Sequence, residues 1–210
     1  MSKEKKGGWQ ANVEFYGNYV IKTPKTDYEI RKKISEYLKP KGKLHTLDKR
    51  VEEMKKGWKD GIRILNKKKI PSRMLGYIEF LEHGKIRQKK VITLEDSWNE
   101  AVDNGNIKEM KKIVNKAINF IIELWKYGIH EKTGKIGYEF GLMKNKIILI
   151  DFGEISENKK IAQKQILKKY WKKPLEKYSR KEVLNYFNKM ADKKLTIETL
   201  NKNWNKKREK

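Results

Sequence analysis

The 210-residue sequence predicts a two-lobed α+β protein, with a β-rich N-terminal lobe over residues 1–94 and a helical C-terminal lobe over residues 95–210. Short β-prone runs separated by glycine lie near the N-terminus. Segments with apolar residues every three to four positions follow, as is typical of amphipathic helices. One continuous aliphatic run, Ile147-Ile148-Leu149-Ile150, is typical of a strand buried on both faces.

The first elements are strands. A glycine-containing segment, 7–16, precedes the turn and β-prone run that contain Tyr19-Val20-Ile21. Together they predict three successive strands, and Lys22 projects from the last one. In a chain this rich in lysine, any single lysine is most simply a solvated surface charge. The apolar residues before Lys22 distinguish it from that background.

Two helices are expected next. Residues 26–39 form the first, with its apolar side made of Ile30, Ile34, Tyr37 and Leu38. The second begins near Thr46, a candidate N-cap residue. It carries apolar residues with a period of 3.6, namely Val51, Met54, Trp58, Ile62 and Leu65.

The rest of the chain mixes strands and helices. Strands are predicted at 73–80 and 86–92, joined by a hairpin turn at 82–85. The segment from Ile107 to Trp125 has the widest apolar stripe, which predicts a central helix of the second lobe. From about residue 159 onward the sequence is helical and basic.

The aliphatic run ends in Asp151-Phe152-Gly153. A carboxylate therefore emerges where a rigid strand stops, and the glycine lets the chain bend away. This arrangement suits the binding of a metal ion. An ordinary core strand followed by a turn is the alternative, because aspartate and glycine are common turn residues.

Composition limits the function classes. The formal charge of +25 favours anionic partners such as nucleic acid. However, the excess is mostly lysine, which an AT-rich genome also produces, whereas phosphate recognition usually favours arginine. The absence of cysteine excludes disulfides and thiolate metal sites. We expect a cytoplasmic protein without a signal peptide, because no apolar run approaches the roughly 20 residues that cross a membrane.

The order of these parts resembles the protein-kinase-like superfamily. A glycine-containing hairpin, Lys22, helices, two β stretches, a long helix and Asp151-Phe152-Gly153 follow one another as they do there. The short length and the helical tail rich in tryptophan and lysine look most like the small bacterial proteins of the YrbL type (the PhoP regulatory network family). The resemblance implies ATP between the lobes, with Lys22 at its phosphates and Asp151 on magnesium.

Kinases also hold the strand lysine with a helix glutamate. Glu52 and Glu53 of the second helix are the candidates, although both lie off its apolar stripe. Glu29 and Glu36 of the first helix are alternatives. The resemblance further implies a hinge near residues 93–96, which include Glu95, whose backbone could bind an adenine edge.

The catalytic loop departs from the kinase pattern, because residues 128–141 contain neither aspartate nor asparagine. Glu131 is the candidate general base, and His130 beside it is expected to be structural. Glu139 lies twelve positions before Asp151, close to where the metal-binding asparagine would fall. Glu139 is therefore a candidate magnesium ligand, since hard cations accept carboxylate oxygens.

These expectations describe an atypical phosphotransferase that uses Mg-ATP and an unknown protein, small-molecule or RNA acceptor. One alternative is an inactive nucleotide-binding pseudokinase scaffold. Another is a basic nucleic-acid-binding protein in which the Asp-Phe-Gly sequence is accidental. Non-specific contact of the lysine-rich surface with nucleic acid is compatible with all three.

Overall fold

The computed structural model describes residues 5–208, and the side chains of residues 8–207. Its N-terminal part is built on a five-stranded antiparallel sheet with the spatial order β1-β2-β3-β5-β4. The strands are β1 (Lys5–Gly7), β2 (Ala11–Phe15), β3 (Tyr19–Pro24), β4 (Glu79–Phe80) and β5 (Ile86–Lys89). The three predicted N-terminal strands are therefore present, and Lys22 lies on the third, between Val13 and Ile86 of its neighbours.

Two helices connect β3 to β4. Helix α1 (Asp27–Leu38) begins with a capping box, in which Thr26 and Glu29 bind each other's backbone amides. Helix α2 (Leu47–Lys68) follows a short 3-10 turn at Leu44–Thr46. Thr46 does not cap α2 as predicted, because its hydroxyl donates to the carbonyl oxygen of Lys43.

The strand predicted at 73–80 is mostly a 3-10 turn, Ser72–Leu75, and only Glu79–Phe80 is extended. Gly76 ends this turn with a left-handed φ of 64°. A side chain at Gly76 would lie 2.7 Å from the Cδ1 atom of Ile148, so the segment packs as a turn against the neighbouring strand. The predicted hairpin turn is present, since the 3-10 segment Glu82–Gly84 joins β4 to β5.

The chain leaves the first sheet after β5 and enters a second antiparallel sheet of β6 (Ile92–Thr93), β8 (Phe140–Met143) and β9 (Lys146–Leu149). Strand β9 is the predicted buried strand, and its three apolar residues Ile147, Ile148 and Leu149 are at most 7% exposed. The predicted lobe boundary after Leu94 stays a prediction, although the crossing between sheets lies nearby.

The remainder is helical. It comprises α3 (Leu94–Asp103), α4 (Ile107–Lys126), the short α5 (Ile136–Glu139), α6 (Lys159–Lys168), α7 (Lys172–Tyr178), α8 (Lys181–Lys194) and α9 (Ile197–Asn203). Strands β7 (His130–Glu131) and β10 (Ile155–Ser156) form a small antiparallel pair between these helices. As predicted, α4 is the central support, because its stripe of Val114, Ala117 and Ile118 is fully buried.

One large core joins α2, the second sheet and the C-terminal helices, and a smaller one lies between α1 and α2. The α+β fold class predicted from the sequence is confirmed, with a small antiparallel sheet first and a helical part after it. Among the described residues, no helix has both the length and the apolar character needed to span a membrane.

Candidate functional site

Lys22 and Asp151 lie near each other where the two sheets meet, so the charge of one acts on the other. The Lys22 ammonium donates a hydrogen bond to the carbonyl oxygen of Ile150, the residue before Asp151. It also lies 5.4 Å from the centre of the Phe152 ring. Burial lowers the pKa of Lys22, while the negative charges of Asp151 and then Glu139 act to raise it. The structure thus brings Lys22, Asp151 and Glu139 together.

Glu139 is held beside Asp151 by the backbone. Its carbonyl oxygen accepts hydrogen bonds from the amides of Ile150 at 2.9 Å and Asp151 at 3.3 Å. The Glu139 side chain is buried, and its Oε2 atom has no hydrogen-bond partner. Burial, and next the charge of Asp151, raise the pKa of Glu139 well above its usual range. A cation between the two carboxylates would offset both the cost of burying the Glu139 charge and its repulsion by Asp151.

These two carboxylates fit a magnesium ion on chemical grounds, because Mg²⁺ takes oxygen ligands and usually one or two carboxylates together with water and phosphate. Among the described residues no group of three or more metal-ligating side chains is already assembled. Asp151 and Glu139 would therefore supply part of the coordination shell, and substrate phosphates and water would complete it.

Helix α2 fixes the turn that carries Asp151. The Gly153 amide donates to the Asp151 Oδ1 atom at 3.0 Å. Phe152 is buried, and its ring centre is 5.2 Å from that of Trp58 on α2. Gly61 on the same face of α2 has no side chain to keep the helix away, because a Cβ atom there would overlap the carbonyl oxygen of Phe152.

Glu131, the predicted base, is tied up within its own loop. Its Oε1 atom accepts from the Thr133 hydroxyl and amide, both at 2.5 Å, and its Oε2 atom accepts from the Gly134 amide at 2.9 Å. Burial raises the pKa of Glu131 to about 7, although these hydrogen bonds act to lower it. Because both oxygens are engaged and enclosed, the structure gives Glu131 a loop-holding role, and its role as a base stays a prediction.

His130 is structural, as expected. Its Nδ1 atom accepts from the Trp125 indole at 3.1 Å, and its Nε2 atom lies 2.8 Å from Oε1 of Gln165. Burial lowers the pKa of His130 to about 4, so the imidazole is neutral at physiological pH.

The predicted glutamate partners of Lys22 lie elsewhere. Glu52 binds Lys55 at 3.2 Å and Glu53 binds Arg50 at 3.1 Å, and both glutamates are exposed. Helix α2 turns its small residues and Trp58, rather than a glutamate, toward the Asp-Phe-Gly turn. The structure therefore does not place Glu52 and Glu53 beside Lys22.

Neither of the alternatives on α1 replaces them, since Glu29 is used in the capping box and Glu36 is exposed. Glu95 is predicted to act through its backbone, and that hinge role stays a prediction. Its side chain is buried in the first turn of α3, where it accepts from the Asn99 amide at 2.9 Å and the Ser179 hydroxyl at 3.2 Å. It therefore attaches α3 to the end of α7, and the chain crosses between the two sheets earlier, at residues 90–91.

Two residues that the sequence reasoning missed adjoin the site. Glu154 directly follows the Asp-Phe-Gly turn, and it lies 3.4 Å from the Lys132 ammonium. Burial, opposed by Lys132, raises its pKa. Gln10, just before β2, donates to the Gly153 carbonyl oxygen and to Glu154, both at 3.3 Å. Adjacency to Asp151 is the one sequence signal for Glu154, and we find none for Gln10.

Comparisons with known proteins give little further guidance. No protein-family model matches the chain, and no curated protein matches it. Among solved structures it is similar to the bifunctional kinase-methyltransferase WbdD, with 16% sequence identity and a TM-score of 0.46. The matched region covers 87% of this chain and 43% of that one, so the chain spans less than half of that protein. A likeness of this size assigns neither a family nor an activity.

Proposed function

We propose that the protein binds Mg-ATP beside Lys22, Asp151 and Glu139 and acts as an atypical phosphotransferase. The observation that carries the proposal is the buried, unpartnered carboxylate oxygen of Glu139 beside Asp151, with a lysine ammonium close by. Phosphoryl-transfer enzymes use this combination, in which a strand lysine contacts phosphates and an aspartate holds magnesium. The likeness to the YrbL type belongs to this proposal, since it rests on the layout of the chain.

Each residue has a distinct part in the proposed chemistry. The Lys22 ammonium would compensate the negative charge of the phosphates, and Asp151 and Glu139 would hold the metal ion. Magnesium, when bound, supplies further positive charge to the phosphate oxygens. The Glu154 oxygens also have partners, Gln10 and Lys132, but unlike the enclosed Glu131 this carboxylate is partly open to solvent, with 20% side-chain exposure. We propose it as the proton acceptor in place of Glu131.

Nucleotide binding is tested by thermal unfolding with and without millimolar Mg-ATP. A ligand at 100 times its dissociation constant stabilises the folded state by about 2.7 kcal/mol. We expect Asp151→Ala to abolish the magnesium-dependent part of the shift and Lys22→Ala to weaken it. Lys89→Ala, an exposed lysine in the adjacent strand β5, is the matched control and should keep the shift. An unchanged melting curve of folded wild type would overturn the proposal.

The inactive scaffold remains the alternative, and the engaged Glu131 together with the missing loop aspartate favours it. Autophosphorylation and ATP hydrolysis distinguish the two, with Asp151→Ala as the blank. An active enzyme should lose transfer in Glu154→Gln while its ATP affinity stays nearly unchanged. Wild type that binds ATP but is no faster than the blank would be a nucleotide-dependent scaffold.

A nucleic-acid contact is a second candidate, favoured by one exposed face of α4. There Lys108, Lys111, Lys112 and Lys116 line a shallow groove together with three asparagines and Glu109, which pairs with Lys112. The pKa of Lys116 is lowered by burial and then by the charge of Lys112, so this face would gain from an anion. Simple phosphate attraction should weaken by orders of magnitude between about 50 and 200 mM salt. Binding that survives this change would support a dedicated nucleic-acid function.

A further inference from the structure

We propose that a cavity of about 220 Å³ between α1, α2 and the 131–135 loop binds a small organic anion with an apolar body. Its lining comes from five separate segments of the chain and includes Glu154 next to the candidate nucleotide site. The assignment of this anion as the phosphate acceptor rests on the proposed function. The anion binding itself does not.

The walls of the cavity are apolar and aromatic. Ile34 and Leu38 of α1, both 4% exposed, and Met54 of α2 form its inner side. Trp9 and Tyr37 form its outer side, with their rings in edge-to-face contact at 5.2 Å. These two rings are 38% and 50% exposed, so they leave apolar surface open to a ligand. A flat or aliphatic body fits such walls better than a fully hydrated one.

The charges at the cavity are mostly positive. Arg50 of α2 and Lys135 of the loop contribute to its lining. Lys41 adds a third cation, with its ammonium 3.2 Å from the centre of the Tyr37 ring. The pKa of Tyr37 is lowered, first by the hydrogen bond and charge of Lys41 and then by the charges of Arg50 and Lys135. A negatively charged group is therefore favoured at this end.

Glu154 makes one end of the cavity acidic, whereas Arg50 and Lys135 are basic. It is the acidic residue in the lining, and it directly follows the Asp-Phe-Gly turn, which places it on the side of the candidate magnesium ligands. An anion would turn its charged end toward Arg50 and Lys135 and a neutral hydroxyl toward Glu154. In transfer, that hydroxyl oxygen would bond to the terminal phosphorus of ATP while the bond from this phosphorus to ADP breaks. The hydroxyl proton would pass to Glu154.

The cavity is tested by calorimetric titration of the full chain with 1-naphthyl phosphate, and with uncharged 1-naphthol for comparison. At about 150 mM salt, attraction by exposed charges more than about 8 Å from the probe is largely screened. Each cation that contacts the phosphate is worth about a tenfold change in affinity. We expect Arg50→Gln and Lys135→Gln each to weaken binding of the phosphate by about that factor, with little effect on 1-naphthol.

Arg63→Gln is the matched control, because Arg63 is also an exposed arginine of α2 with an acidic partner three residues away, and it lies outside the cavity lining. It should leave the affinity unchanged. No measurable binding, or an equal loss in Arg50→Gln and Arg63→Gln, would overturn the inference.

Two further titrations separate this inference from the proposed function. Mg-ADP should not displace 1-naphthyl phosphate, and Asp151→Ala should bind it like wild type. Displacement would place the probe in the nucleotide site and overturn the proposal that the cavity binds it. If Mg-ATP gives no thermal shift while Arg50→Gln still lowers the affinity for 1-naphthyl phosphate, the proposed function fails and the anion site stands.

Discussion

Replacing Gly61 by alanine tests the packing of α2 on the Asp-Phe-Gly turn. In an exposed helix this change is favourable, because alanine has a higher helix propensity than glycine by about 1 kcal/mol. Here the added Cβ atom would overlap the carbonyl oxygen of Phe152 and lie 2.9 Å from its carbonyl carbon. Both atoms belong to the backbone, so no flexible side chain can move aside.

The expected magnitude follows from these two opposing effects. Ordinary contacts between carbon atoms are about 3.5–4.0 Å, so α2 or the turn must retreat. Overpacking costs about 1–3 kcal/mol, and a clash with rigid backbone atoms belongs in the upper part of this range, at about 2–3 kcal/mol. After the gain in helix propensity we expect a net loss of about 1–2 kcal/mol. For a chain of this length that lowers the melting temperature by about 2–8 °C.

Thermal unfolding by circular dichroism measures this change. Gly17→Ala is the control, because a Cβ atom at Gly17 would have no neighbour within 4 Å and its φ is not left-handed. It should change stability by less than about 0.5 kcal/mol. A retreat of Phe152 also displaces Asp151, so Gly61→Ala should reduce the Mg-ATP shift. A Gly61→Ala protein as stable as wild type, or more stable, would refute the placement of α2.

Three further outcomes are expected. First, the pKa of His130 is lowered from 6.5 to about 4, so its contribution to stability is complete above pH 6.5 and is lost as the pH falls toward 4. At about 1.4 kcal/mol per pKa unit the loss approaches about 3 kcal/mol, and urea unfolding of His130→Gln should lack it; equal pH profiles would contradict this assignment. Second, Gln88 is buried, and its side-chain amide donates to the backbone carbonyl oxygens of Leu75 at 2.8 Å and of Leu149 in β9 at 3.1 Å, so it bridges the two sheets. Gln88→Leu should cost about 1–3 kcal/mol in urea unfolding, and a neutral effect would mean that the bridge is not formed. Third, Thr26→Ala should cost about 1 kcal/mol because it removes the cap of α1, whereas Thr46→Ala, without a cap bond to lose, should cost less. Similar losses in both would argue against the capping box.

Secondary structure was largely predictable where burial follows a simple period. The run that ends at Asp151 formed the buried strand β9, and the stripe from Ile107 formed α4, with its end one residue later than predicted. The segment 73–80 was not predictable as a turn, because its apolar residues suit a strand equally well. Its conformation depends on Gly76, which packs against Ile148 from a distant part of the chain.

The candidate site was only partly predictable. Lys22, Asp151 and Glu139 were named from their order along the chain, and the structure brings them together. Glu131 is predicted on the same grounds, yet its carboxylate is held by neighbouring donors within its own loop. Sequence spacing does not distinguish a carboxylate that accepts hydrogen bonds from one that lacks a partner.

The α+β class, the strand that carries Lys22, the strand that leads to Asp151 and the central helix all follow from local apolar periodicity, on which the hydrophobic effect acts. Long-range packing, in contrast, sets which acidic residues lie near Asp151. Glu139 reaches it through backbone hydrogen bonds between α5 and the end of β9, whereas Glu52 and Glu53 point to solvent. These outcomes depend on contacts between residues far apart in the chain, and the burial and charge of a carboxylate are set by such contacts.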